Sequence, residues 1–328
     1  MKIDIHNHFY PAGFLKQLEK DGPSVGIRVE RDEWDRPILV QHGNRVVTIT
    51  PPMSDIGQRL ADMDQAGFDK QILTLSVPSV DIFPKKIGDK LAHVVNDEIA
   101  RICSEHPERF MGFATLPFVD PERAVRELER CVDELNFRGA CIGTNINGLG
   151  LDNPLFYPFY ERISEYDLPV HIHPRAPIDK ETYKDYRLGP MIGFEMELCV
   201  AVIRLIMGGV LDRFPKLKFV VAHLGGAIPY LAERVQNCYE IYPECQQNIS
   251  APAKDYLKRF YYDTVSFFQP ALRCAYDFLG AEKLILGSDY PHVIGDINEA
   301  VTSIEAMEIP SEEKELIFSG NILRLIHQ

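Results

Sequence analysis

The spacing of apolar and polar residues divides the chain into short strand-like runs separated by helix-spaced ones. Lys2-Ile-Asp-Ile-His-Asn-His8 opens the series as a strand, so His6 and His8, two residues apart, point to the same side. Residues 25–50 alternate around two turn signals, Asp35-Arg36-Pro37 and His42-Gly43-Asn44, which predicts three short strands. From Asp55 the period becomes helical, with Ile56, Leu60, Met63 and Ala66 on one face and Gly67 as the stop. Strand-like runs then recur at 70–76, 109–115, 138–143, 168–173, 217–223, 259–263 and 283–289. Helical patterns fall at 88–106, 121–136, 153–167, 193–213, 225–241, 268–279, 296–307 and 311–326. Asp120 before Pro121 is a helix start, a capping side chain followed by proline at the first helical position.

Eight strands, each followed by a helix, in 328 residues predict an α/β fold, a (β/α)8 TIM barrel with a small β insertion after strand 1. The strands are apolar without strict alternation, as expected when both faces are covered. A doubly wound open sheet competes, but no glycine-rich dinucleotide fingerprint follows the first strand. With no internal repeat, linker or low-complexity tract, residues 1–328 read as one domain.

Composition narrows the function classes. A hydrophobic content of 45% and a charged content of 25% are those of a soluble globular protein. The net charge of −13 argues against nucleic-acid binding, yet leaves an anionic small molecule open, because that responds to local charge. The longest apolar run, Leu198 to Leu211, contains Arg204 and is shorter than the roughly 20 residues of a membrane span. Seven scattered cysteines without C-x-x-C read as buried thiols in a reducing compartment, and the cytoplasm is the expected location.

The chemistry lies at strand ends. His6 and His8 end strand 1, and His171 and His173 end strand 5 in Val170-His-Ile-His-Pro174. His223 ends strand 6 in Val221-Ala-His-Leu-Gly-Gly226, and Asp289 ends strand 8 in Gly287-Ser-Asp-Tyr-Pro291. In a parallel barrel these ends meet on one face, where sites are built. His42, His93, His106 and His327 are instead scattered over loops and helices. Such a concentration of imidazole and carboxylate predicts a functional metal site.

Together His6-x-His8, His173 before Pro174, Ala222-His223-Leu-Gly-Gly and Ser288-Asp289-Tyr-Pro291 resemble the amidohydrolase superfamily. Within it the chain resembles the branch of metal-dependent decarboxylases that act on aminocarboxymuconate semialdehyde, γ-resorcylate and 5-carboxyvanillate. Arg109-Phe-Met-Gly-Phe-Ala-Thr-Leu-Pro117, Met207-Gly-Gly-Val210 and Phe214-Pro-Lys-Leu217 extend the likeness almost end to end. The resemblance implies His6, His8, His173 and Asp289 as metal ligands and His223 as the catalytic base beside the metal. Three imidazoles and a carboxylate suit zinc, and would also hold manganese. Gly139-Ala-Cys-Ile-Gly-Thr-Asn145 offers no Lys or Glu to bridge a second ion, so one divalent metal is expected. His171 reads as a partner of the ligands or a core histidine, and His292 as a pocket-mouth or loop-capping residue.

The expected reaction is nonoxidative decarboxylation of an aromatic or muconate-type carboxylic acid, with Asp289 as both ligand and proton shuttle. A metal-dependent hydrolase of a lactone, ester or amide is the alternative. Two arginines suit a substrate carboxylate, since the guanidinium fork pairs both its oxygens. Arg45 resembles a substrate-binding arginine of the branch. Arg234 lies eleven residues after His223, about 15 Å along a continuous helix, which takes it away from its own barrel mouth. Family likeness assigns Arg234 to the neighbouring site of a homodimer. One departure stands out: the aminocarboxymuconate-semialdehyde enzymes carry tryptophan after the His-Pro pair, where this chain has Arg175-Ala176 and keeps its single tryptophan at Trp34.

Overall fold

Every residue of β1 (Ile3–His8) is buried, so its polar side chains must find partners inside the protein. The computed structural model describes residues 1–179 and 181–327. These fall into two compact units, one made of Met1–Ala140 with Ser288–Asn298, the other of Cys141–Gly287 with the chain from Glu299 onward.

In the first unit β1 leads to α1 (Ala12–Asp21) and then to an antiparallel meander of β2 (Ile27–Arg31), β3 (Pro37–Gln41) and β4 (Asn44–Thr48). α2 (Ile56–Ala66) starts where Asp55 accepts the Gln58 N–H at 3.1 Å and stops at Gly67, whose φ of 74° a side chain would resist. β5 (Lys70–Thr74) lies parallel to β1. After α3 (Lys85–Glu105), β6 (Phe110–Gly112) lies parallel to β5. α4 (Pro121–Asp133) begins at the Asp120 cap. Ile3, Ile5, Phe14, Ile72, Leu91 and Val95 are fully buried, each contributing about 1.5–3 kcal/mol. The chain re-enters this unit at Ser288. The His6 carbonyl there accepts from the Ser288 and Asp289 N–H groups at 3.2 and 2.8 Å, and the His8 N–H donates to the Tyr290 carbonyl at 2.8 Å.

The second unit holds a sheet in the order β7 (Ala140–Gly143), β8 (Pro169–His173), β9 (Lys218–Val221), β10 (Tyr261–Asp263) and β11 (Leu284–Ile285). β8 to β11 are parallel neighbours, with α5 (Phe194–Met207) between β8 and β9, and α6 (Ile228–Ile241) between β9 and β10. Both units are therefore α/β.

Four boundaries differ from the periodicity. The helix expected over 193–213 stops at Met207. Gly209 follows with φ 73°, and a Cβ there would stand 2.6 Å from the Asn248 carbonyl oxygen. The strand expected to reach His223 ends at Val221, just before the φ of 52° at His223, and the strand expected to reach Asp289 ends at Ile285, with one parallel bridge between Tyr290 and Asn7 beyond it. α6 starts at Ile228 rather than 225, so Arg234 stands six residues, about 9 Å, along it instead of the 15 Å that the spacing implied.

Among the described residues no helix is long and apolar enough to cross a membrane. The seven cysteines are free, but only Cys131 and Cys199 are buried and Cys274 is exposed, so the thiols are not the uniformly buried set expected.

Candidate metal centre

In the first unit β1 aims His6 and His8 at Asp289, which the hydrogen bonds of the Ser288–Tyr290 segment hold beside them. The Nε2 atoms of His6 and His8 are 3.2 Å apart, and each stands close to Asp289 Oδ1, at 3.3 and 3.0 Å. Hydrogen bonding alone does not satisfy this triangle. If both rings donate to Oδ1 their hydrogens face each other, and if one does not, its lone pair faces the carboxylate. A shared cation would resolve it, and these three residues are grouped closely enough to hold one. Donors about 2.1 Å from an ion stand about 3.0–3.4 Å from one another in octahedral or tetrahedral coordination, which matches the observed edges. Burial holds the His8 imidazole well below its usual value, hence neutral as a ligand requires. Burial would raise the Asp289 carboxyl, but the His6 and His8 rings beside it outweigh that and hold the group well below the usual carboxylate range.

Behind the ligands lies a polar layer. Asp4, fully buried, accepts from Ser288 Oγ at 2.6 Å, Gln71 Nε2 at 3.0 Å and the His6 N–H at 3.1 Å. Arg59, also fully buried, donates to Asn7 Oδ1 at 3.0 Å, Gln71 Oε1 at 2.8 Å, the Pro52 carbonyl at 3.1 Å and the His8 carbonyl. Burial brings its guanidinium down to about 10, which leaves it charged at neutral pH. His292 lies with its ring centroid 4.7 Å from that of His8 and its Nε2 2.9 Å from Ser76 Oγ.

The second unit arranges its own histidines. His173 Nδ1 is 3.0 Å from the Pro174 carbonyl, which only accepts, so the proton sits on Nδ1 and Nε2 keeps its lone pair. His171 places Nε2 3.5 Å from Asp263 Oδ2, both side chains without exposure. Asp263 Oδ1 accepts the His223 and Val265 N–H groups at 2.8 and 3.1 Å. His223 Nδ1 is 2.8 Å from Glu195 Oε1.

A model of the amidohydrolase family matches residues 3–327. The chain belongs to the amidohydrolase family. It is 30% identical to the 2-amino-3-carboxymuconate-6-semialdehyde decarboxylase of Dictyostelium discoideum over 331 aligned residues, covering 99% of this chain and 91% of that protein. It is 34% identical to the γ-resorcylate decarboxylase of a Polaromonas species, covering 82% of this chain and 86% of that one. Among solved structures it resembles the dihydroxybenzoic acid decarboxylase of Polaromonas, determined with bound manganese and 2-nitroresorcinol, at a TM-score of 0.82 and 28% identity over 99% of this chain and 96% of that one.

The two arginines expected to bind substrate in this amidohydrolase are both exposed. Arg45 is exposed on the β3–β4 hairpin, where it donates to Thr48 Oγ1. Arg234 is exposed on α6. Four residues that shape the clusters escaped the sequence reading: Asp4, Arg59, Asp263 and Glu195. Asp4 and Asp263 carried a signal, a carboxylate within or ending an apolar strand. Arg59 and Glu195 sit on helices, where charged residues are ordinary.

Proposed function

We propose that this chain is a metal-dependent, nonoxidative decarboxylase of an aromatic or muconate-type carboxylic acid, with one divalent cation held by His6, His8, His173 and Asp289. The observation that carries the reading is the meeting of His6 Nε2, His8 Nε2 and Asp289 Oδ1 at edges of 3.0–3.3 Å. Decarboxylase relatives matched over nearly the whole chain support it. Donor chemistry favours zinc, and the manganese of the Polaromonas structure makes that ion the second choice. The cation, when bound, supplies a Lewis acid that polarises a substrate oxygen.

Decarboxylation breaks the bond between the substrate carbon and its carboxyl carbon, leaves the electron pair on the substrate carbon and requires a proton there. His223 takes a proton from water on Nε2, delivers it to that carbon as general acid and is left as the neutral base that takes up the next one, and Asp289 is the second group able to carry the proton. Arg45 and Arg234 hold carboxylate oxygens of the substrate, Arg234 from the second subunit of a homodimer. The accompanying fold reading is a (β/α)8 barrel in one domain, with β2–β4 as its insertion, and the similarity to the Polaromonas enzyme supports it. Free thiols suit a reducing cytoplasm.

The test is CO2 release from 2,6-dihydroxybenzoate, 5-carboxyvanillate and muconate-type acids by zinc- and manganese-loaded protein, against a chelated control. Metal-dependent release from any of them is the expected result. Turnover of lactones or esters without CO2 release would move the chain to the hydrolases. Arg234→Ala should lower kcat/KM, and an unchanged value would remove the arginine in trans.

A further inference from the structure

We propose that Glu195 is the positioning residue that fixes the tautomer and orientation of His223, an inference that rests on the reading of His223 as the proton-transfer group. A neutral imidazole carries one N–H. The Glu195 carboxylate stands 2.8 Å from Nδ1 and can only accept, so the proton sits on Nδ1 and the basic lone pair on Nε2.

The surroundings hold this pair in register. His223 and Leu224 both have left-handed φ, 52° and 53°, a conformation that persists only where neighbours impose it. Asp263 fixes one side by accepting the His223 N–H at 2.8 Å. The first turn of α5 fixes the other. Gly226 lies so close to it that a Cβ would stand 2.3 Å from the Glu195 carbonyl oxygen, so the turn after His223 rests directly on the backbone of the residue that orients the ring. Cys199, one turn further along α5, bonds to both ends of the same turn, its Sγ 3.6 Å from the Gly225 carbonyl and 3.2 Å from the Ala227 N–H. Glu197, two residues on, serves a different purpose, accepting from Asn145 Nδ2 at 2.8 Å and the Ile178 N–H at 3.3 Å. The His223 side chain is 9% exposed and that of Glu195 29%, so the carboxylate reaches inward from a partly wet position to a nearly dry ring. An ordinary ion pair at that exposure contributes at most about 1 kcal/mol to stability. Fixing which nitrogen is basic gives the contact a larger effect, because a general acid–base group contributes about 10²–10⁴-fold to rate only with the correct nitrogen facing the reacting atom.

Two measurements test this on the metal-loaded protein. The first is 15N NMR of histidine-labelled, zinc-loaded enzyme, with the His223 signal assigned from a His223→Gln difference spectrum. Wild type should show a protonated Nδ1 and an unprotonated Nε2, and Glu195→Ala should shift the ring toward the Nε2–H form. The second is kcat and KM for the acid from the CO2-release panel that wild type turns over fastest. Glu195→Ala and the isosteric Glu195→Gln should lower kcat about 10²-fold or more while KM stays within about twofold, and Glu195→Asp should recover part of the loss. Unchanged tautomer populations in Glu195→Ala at full metal content overturn the proposal, whatever the activity. An unshifted kcat in Glu195→Gln alongside a dead His223→Ala does so too. If wild type releases CO2 from no acid, the decarboxylase reading fails, and the NMR comparison alone still decides whether Glu195 sets the ring.

Discussion

Replacing Arg59 with methionine tests whether the polar layer behind β1 supports the ligands. The change keeps a long, flexible side chain and removes every donor. It leaves four acceptors, Asn7 Oδ1, Gln71 Oε1 and the Pro52 and His8 carbonyls, without the guanidinium they meet in the native protein. Each buried acceptor deprived of its donor costs about 1–3 kcal/mol. The two amides can turn toward other donors, so the lower end applies, and the sum comes to about 4 kcal/mol, within the roughly 3–5 kcal/mol typical of removing one partner from a buried charged network. The guanidinium also lies over the Tyr290 and Phe9 rings, 5.0 and 5.5 Å from their centroids, a packing that the thioether partly replaces. Urea unfolding of the chelated protein, followed by circular dichroism, should show the midpoint falling at unchanged slope. Metal affinity should fall about 10–100-fold, because Arg59 holds the backbone of one ligand and its neighbour. Arg59→Lys should recover little, since one ammonium cannot span four acceptors. A stability loss below about 1 kcal/mol with unaltered metal affinity would refute the assignment of this network as the support of the ligand strand.

Three further outcomes follow from the same geometry. His6→Ala, His8→Ala and Asp289→Asn should each yield protein that loses its metal on desalting, as read by plasma mass spectrometry, while keeping its far-ultraviolet spectrum. His8 is held neutral when folded but takes up a proton near its ordinary value of 6.5 when unfolded, so the unfolded state binds more protons below that pH and stability falls as pH falls. The buried Asp4 carboxyl, pushed up to about 7, works in the opposite direction over the same window, so the His8 contribution is read as a difference: from pH 7 to 5.5 chelated wild type should lose stability relative to His8→Gln in paired urea titrations, and parallel curves would refute it. Gly226→Ala forces a Cβ into the Glu195 carbonyl oxygen at a φ of 63°, and should cost about 2 kcal/mol or more together with most of the CO2 release. An active, fully stable alanine variant would show that the turn does not rest on α5.

The sequence made the strands and their chemistry legible to different depths. His6 and His8 were readable because strand alternation leaves two residues at i and i+2 only one way to point. Asp289 was readable as a strand-end carboxylate, although the continuous ladder stops at Ile285 and a single parallel bridge between Asn7 and Tyr290, with the bonds to the His6 carbonyl, brings it to the ligands. The break of the 193–213 helix was foreshadowed by Gly208-Gly209, yet helical periodicity continues through the pair, and the contact with Asn248 that decides it is 39 residues downstream of Gly209. Glu195 was invisible for a plainer reason. It lies 28 residues before His223 in a helix whose first turn carries two acidic residues, and only the packing of the turn against α5 singles it out from Glu197. Arg59 escaped likewise, because an arginine in a helical pattern reads as a solvent-facing charge until burial is seen.

The contact between His8 and Asp289 joins positions 281 residues apart in the chain. A cation there would act as a clasp between segments 281 residues apart, and part of the entropy of closing so long a loop would fall on the binding step. During synthesis His6, His8 and then His173 emerge long before Asp289, so the proposed ligand set is complete only late, after the segment around Asp289 has been made. Without the ion the segments around His8 and Asp289 would be held together by protein contacts alone.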